Sequence, residues 1–134
     1  MTLTDQQISS LKKVFESFSD IEAAYLFGSY AEGAAKPDSD IDIGLCGNYQ
    51  KLSSQLLDIL TKLTVAGFDK VDIVLLDMDD LVMKFEVIHH NQLLYSVPGF
   101  DHGTLFSRTL REYWDLQPIL DYQRQVMKER LING

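Results

Sequence analysis

The sequence predicts an α/β fold, a small mixed β-sheet with flanking helices. Three observations carry that reading. Apolar residues recur at helical spacing in separated segments, short apolar or alternating runs lie between them, and Gly, Pro and Asp residues mark the junctions. The 134 residues, 46% hydrophobic and 24% charged, supply a core for one domain, with no room for a second.

Thr4 reads as an N-cap with Gln7 as its capping-box partner, and Ile8, Leu11, Val14, Phe15 and Phe18 follow at helical spacing, predicting a helix over Thr4 to Phe18. Glu22 to Phe27 is a short apolar run ended by Gly28, and IDIGL from Ile41 alternates after a polar loop, so both read as strands. Leu52, Leu56, Leu57, Ile59, Leu60 and Leu63 form a helical stripe between Lys51 and Ala66, and VDIVLL over Val71 to Leu76 is a third strand. Asp79 or Asp80 can cap a helix running to about His90, and QLLYSV before Pro98-Gly99 reads as a fourth strand. Beyond it, Leu105, Phe106, Leu110, Tyr113 and Trp114 make one apolar stripe. Ile119, Leu120, Val126, Met127 and Leu131 make another, with Pro118 kinking or separating the two. The domain is placed at 1–134, with its core over about 20–97 and C-terminal helices over about 103–132.

No segment approaches the roughly 20 apolar residues that cross a bilayer, and the N-terminus lacks the basic start and apolar run of a secretion signal, so the expected address is cytoplasmic. One cysteine, Cys46, allows no internal disulfide and no zinc site of Cys and His ligands. A formal net charge of −8 weighs against a protein built to grip nucleic acid non-specifically, because the phosphate backbone would be repelled.

The chemistry concentrates in FGSYAEGAAKPDSDIDIGL, Phe27 to Leu45. Gly28 and Ser29 stand where a strand gives way to a short predicted helix. Such a junction suits a triphosphate, since glycine lets the backbone approach, helix-start N–H groups face the anion and the hydroxyl adds a donor. On its own the pair is also an ordinary tight turn with a serine cap. Asp40 and Asp42 are two apart on a predicted strand, so they leave the same face while Ile41 and Ile43 enter the core. Paired carboxylates repel unless a cation sits between them, and their hard oxygens suit Mg2+ or Mn2+. A solvated acidic loop is the plainer alternative. Asp72 lies in the otherwise apolar KVDIVLL, where burying an acid without a partner is expensive, although an edge strand could turn it to solvent. If its strand neighbours that of Asp42, three carboxylates converge in the manner of two-metal phosphoryl transfer.

Gly28-Ser29, ten intervening residues, Asp40-x-Asp42 and the later strand acid Asp72 resemble the signature of the polymerase-beta-like nucleotidyltransferase superfamily. The short chain resembles in particular the minimal nucleotidyltransferases of prokaryotes, commonly the antitoxin partners of HEPN-domain ribonuclease toxins. The resemblance implies that Gly28 and Ser29 hold triphosphate and that Asp40, Asp42 and Asp72 bind metal, with Asp72 completing that site or acting as general base. It further implies Mg2+ or Mn2+ as cofactor, ATP as substrate, AMP transfer to a tyrosine of a HEPN toxin, and antitoxin action. Transfer to a small molecule and neutralisation by binding alone are the alternatives. Tyr30 departs from the pattern, since many relatives carry arginine there. Glu32 and Gly33 follow it and shape the loop.

A calcium loop starting at Asp38 would need glycine and glutamate where Ile43 and Tyr49 stand, and no Walker A element occurs. His89, His90 and His102 read as surface or capping residues, and Cys46 as a partly buried thiol. The C-terminal stripes serve either as core or as a surface for homo- or hetero-oligomers.

Overall fold

Successive side chains of a strand leave opposite faces of the sheet, and here both faces carry an apolar core. The structure is a computed structural model that describes residues 1–76 and 79–133; of the predicted domain 1–134, positions 77, 78 and 134 lie outside the described residues. Its strands are β1 (Ile21–Phe27), β2 (Ile41–Gly47), β3 (Val71–Leu75) and β4 (Leu93–Ser96), in the order β3-β2-β1-β4. β1 pairs antiparallel with β2 and β4, whereas β2 and β3 run parallel, so the sheet is mixed as expected.

On one face Ile41, Ile43 and Leu45 of β2 join Ala24 and Leu26 of β1 in the larger core. Two helices close it, α1 (Asp5–Glu16) and α3 (Tyr49–Val65). They bury Leu11, Val14 and Phe15, and Leu52, Ile59 and Leu63, respectively. Each such side chain contributes about 1.5–3 kcal/mol by leaving water. The Thr4 and Gln7 capping box forms as the sequence predicts, and Asn48 caps α3 through Lys51 N. Both caps give otherwise orphaned N–H groups a partner.

The other face carries Ala23, Tyr25, Cys46, Val74 and Leu76, covered by α4 (Leu81–Ile88) and the start of α5 (His102–Asn133). Asp80 caps α4 through Met83 N. Helices therefore flank the sheet on both faces. Gly44 explains how close α4 comes: a Cβ there would collide with the Val87 side chain. Lys84, buried on α4, reaches Glu112 of α5 at 4.0 Å.

The two predicted C-terminal helices are one. α5 runs unbroken through Pro118, whose ring removes one backbone donor without ending the helix. Its first half packs on α4, with Phe85 and Tyr113 stacked at 3.7 Å between centroids. Farther along, Ile119, Tyr122, Met127, Leu131 and Ile132 are exposed.

Candidate active site

The strand register determines which acids meet. Phe27 pairs with Asp42 across β1 and β2, and Asp42 pairs with Asp72 across β2 and β3. One row of the sheet thus presents Phe27, Asp42 and Asp72 in order, and Gly28 follows at the end of β1. There the chain enters α2 (Gly28–Glu32), closed by Gly33 in a left-handed conformation. Gly28 has φ +70, and any Cβ would run into the Asp42 carboxylate. Glycine is required at this position for both reasons, and the close approach it permits brings the Gly28-Ser29 junction against Asp42.

Asp42 is half-buried, while Asp40 and Asp72 are exposed. Burial pushes the Asp42 carboxyl up from the usual carboxylate range, and the charges of Asp72 and then Asp40 push it the same way. Asp40 precedes β2 instead of lying on it, as the sequence reading had it, yet it remains near enough to act on Asp42. The desolvation argument for Asp72 does not hold, because β3 is an edge strand and the side chain meets solvent; its place beside Asp42 comes from register alone.

Among the described residues no three His, Cys, Asp or Glu side chains already converge to hold a metal ion. In chemistry the three carboxylates fit a hard divalent cation, and the upward push on Asp42 by its two neighbours is the repulsion such a cation would relieve. Tyr30, in place of a cation, packs half-buried against the larger core and adds no charge to the site.

Three residues around the site differ from their sequence reading. Cys46 lies inside β2 and is fully buried, with its thiol pushed up to about 12, chiefly by burial. His102, read from the sequence as a surface or capping residue, opens α5 with its Nδ1 2.8 Å from the Tyr25 hydroxyl and its Nε2 facing Asn91 Oδ1. His89 caps α4 as expected, but the side chain of His90 is only 10% exposed, with Nε2 3.9 Å from Glu32 Oε1. Gln92, which nothing in the sequence marks out, donates to Ala31 O of α2 at 2.7 Å. No local periodicity reports such contacts, which depend on two segments some 61 residues apart meeting in space.

A mixed sheet that sets a Gly-Ser junction against aspartates aligned on neighbouring strands has the layout of a nucleotidyltransferase. The sequence model of the family described as Polymerase beta, Nucleotidyltransferase matches residues 9–98, and the chain belongs to that family. No curated protein matches significantly. Among solved structures, the chain is similar to one in a toxin-antitoxin complex with AMP-PNP, at 24% identity and TM-score 0.67, covering 93% of this chain and 98% of that one. It is also similar to a chain in the complex of tri-AMPylated Shewanella oneidensis HEPN toxin with MNT antitoxin, at 22% identity and TM-score 0.62, covering 93% and 95%. A third similarity is to a chain of the MntA-HepT toxin-antitoxin complex, at 21% identity and TM-score 0.64, covering 96% and 99%. At these identities the likeness establishes the fold.

Proposed function

We propose that the chain is an adenylyltransferase that moves AMP from ATP to a tyrosine hydroxyl of a HEPN-domain toxin and thereby acts as its antitoxin. The observation that carries this reading is the direct pairing of Asp42 with Asp72, hard against the Gly28-Ser29 junction. Its setting supports it, since the fold is shared over nearly full length with chains from toxin-antitoxin complexes, one crystallised with AMP-PNP and one holding an AMPylated HEPN toxin.

In this reading Gly28 and Ser29 receive the triphosphate, glycine by letting the backbone approach and serine by donating from its hydroxyl. Asp40, Asp42 and Asp72 would hold Mg2+ or Mn2+, which when bound offsets phosphate charge and makes a hydroxyl easier to deprotonate. Asp72, exposed like Asp40 and paired with Asp42, is the residue this reading assigns to accept the proton of an incoming hydroxyl. The acceptor oxygen bonds to the α-phosphorus, the bond from that phosphorus to the bridging oxygen breaks, and pyrophosphate leaves with the electron pair. The exposed apolar residues of α5 beyond Pro118 are the docking surface this reading assigns to the partner. No described helix is long and apolar enough to cross a membrane, and the proposed setting is the cytoplasm, with ATP and the toxin at hand.

The test incubates the protein and its Asp42→Asn variant with magnesium, α-labelled ATP and either the toxin or host lysate, read by gel autoradiography and mass spectrometry. A labelled band that disappears with Asp42→Asn supports protein adenylylation. Absence of label with any of the four triphosphates overturns it.

A further inference from the structure

Helix α2 has no fully buried residue; Tyr30 and Ala31 pack half-buried against the larger core, and hydrogen bonds add to that hold. One residue grips it from both sides of Gly28. The backbone carbonyl of Gln92 accepts from Leu26 N at 2.8 Å, two residues before Gly28, and its side-chain amide donates to Ala31 O at 2.7 Å, three residues after. A register shift between Ala24 and Tyr25 in the β1–β4 pairing accompanies this reach.

Gln92 is itself fixed from below. Asn91 takes a left-handed conformation, φ 57, and its Oδ1 lies against His102 Nε2. With that carbonyl as acceptor, Nε2 carries the imidazole proton and Nδ1 accepts from the hydroxyl of Tyr25, which is wholly buried in β1. On the other side of the turn, His90 aims a buried Nε2, without a hydrogen-bond partner among the described residues, towards Glu32, the last residue of α2.

We propose that Gln92 is a positioning residue for the nucleotide-binding junction, holding α2 at the separation from Asp42 that a triphosphate requires. This rests on the nucleotidyl-transfer reading given above. The effect is confined to ground-state binding of nucleotide, because the hydrogen bonds of Gln92 among the described residues go to the backbone of Leu26 and Ala31.

The experiment compares the full-length protein with Gln92→Glu, which keeps the shape and loses the donor, Gln92→Ala, and Gln92→Lys, which keeps a donor at similar reach. Hydrogen exchange of the Gly28 to Gly33 amides is followed without ligand, and KM and kcat are measured with MgATP. The Glu and Ala variants should exchange faster at those amides alone, keep the wild-type melting temperature, and raise KM for ATP about fivefold, the worth of one hydrogen bond, with kcat little changed. Gln92→Lys should restore both readouts. Unchanged exchange in Gln92→Glu, or loss of kcat with global destabilisation, overturns the proposal. If the wild-type protein transfers no nucleotide, the functional reading fails by itself, while the exchange measurement still decides whether Gln92 holds α2.

Discussion

Asp42 and Asp72 stand opposite each other in the parallel register of β2 and β3, two like charges at adjoining backbone positions. The folded chain therefore holds the Asp42 carboxyl above its ordinary range, through burial first and through Asp72 and Asp40 after it. An acid whose folded pKa exceeds its unfolded pKa binds more protons when folded. Its destabilising effect is absent below the unfolded pKa and grows to its full value as pH rises through the folded pKa. Asp42→Asn should accordingly raise the urea midpoint at pH 7 in metal-free buffer, with the gain fading as pH falls through the carboxylate range. A variant no more stable than wild type at pH 7 would contradict the repulsion. With millimolar Mg2+ or Mn2+ the order should reverse, the wild type gaining melting temperature and Asp42→Asn gaining little, as mass action on a site that needs the carboxylate requires.

Gly28→Ala tests the closeness of the junction to Asp42. The variant faces a left-handed φ of +70 and a collision with the Asp42 carboxylate. Backbone strain of this kind costs on the order of 1–3 kcal/mol. Urea denaturation should show a loss of that size, and calorimetry should show weakened binding of a non-hydrolysable ATP analogue. Wild-type stability in Gly28→Ala would mean that β1 and β2 are not as close there as described.

The other tight approach lies between Gly44 and Val87. Gly44→Ala should lose about 1–3 kcal/mol by overpacking, because the new methyl occupies the space of a Val87 methyl. Val87→Ala should also destabilise, by opening a cavity. The double variant should recover part of the loss, a coupling that a double-mutant cycle in urea measures directly. Strict additivity would show that α4 does not bear on β2 at Gly44.

Local chemistry made most of the elements legible. The Thr4 capping box, the leucine stripe of α3 and the alternation of Ile41, Asp42 and Ile43 are each written within a few residues, and each gives the element found. The spacing of Gly28, Asp42 and Asp72 was legible for the same reason, and the strand register brings these three together. What escaped depends on how distant segments meet. The single helix through Pro118 survives because one missing donor is a local loss that the helix on either side tolerates. The exposure of Asp72 stood in the sequence only as one of two alternatives, and it was decided by β3 being at the sheet edge. Gln92 has an ordinary side chain made specific by the turn that carries it, and His90 and His102 acquired their surroundings from α2 and β1.

Cys46 makes a prediction on the alkaline side. Its thiol is held up to about 12, first by burial and then by the Glu22 charge, with Lys84 opposing. In the unfolded chain it titrates near 8.5. The folded state thus binds the proton more firmly, and the fold loses stability as pH rises above the unfolded value towards 12. Cys46→Ala, although it opens a small cavity, should lose less stability than wild type between pH 8 and pH 10. The thiol of the folded wild type should react with a disulfide reagent only as fast as the protein opens. Rapid labelling under native conditions would contradict the burial of Cys46.

The far half of α5 gives the last prediction. Leu131 is 83% exposed and Met127 66% exposed, so these side chains take little part in the cores described above. Packing of α5 on α4 is carried before Pro118, by Tyr113 on Phe85 and by Lys84 with Glu112. A chain ending at Gln117 should therefore keep the wild-type melting temperature within a few degrees, since surface changes away from the core alter stability by only about 0.5 kcal/mol. It should also keep its affinity for nucleotide, because no residue of the Gly28, Asp42 and Asp72 row lies on α5. Under the proposed function, what it should lose is capture of the toxin in a pull-down. A melting temperature lowered well beyond that range would assign those residues to the fold instead, while full toxin capture would place the docking surface elsewhere on the protein.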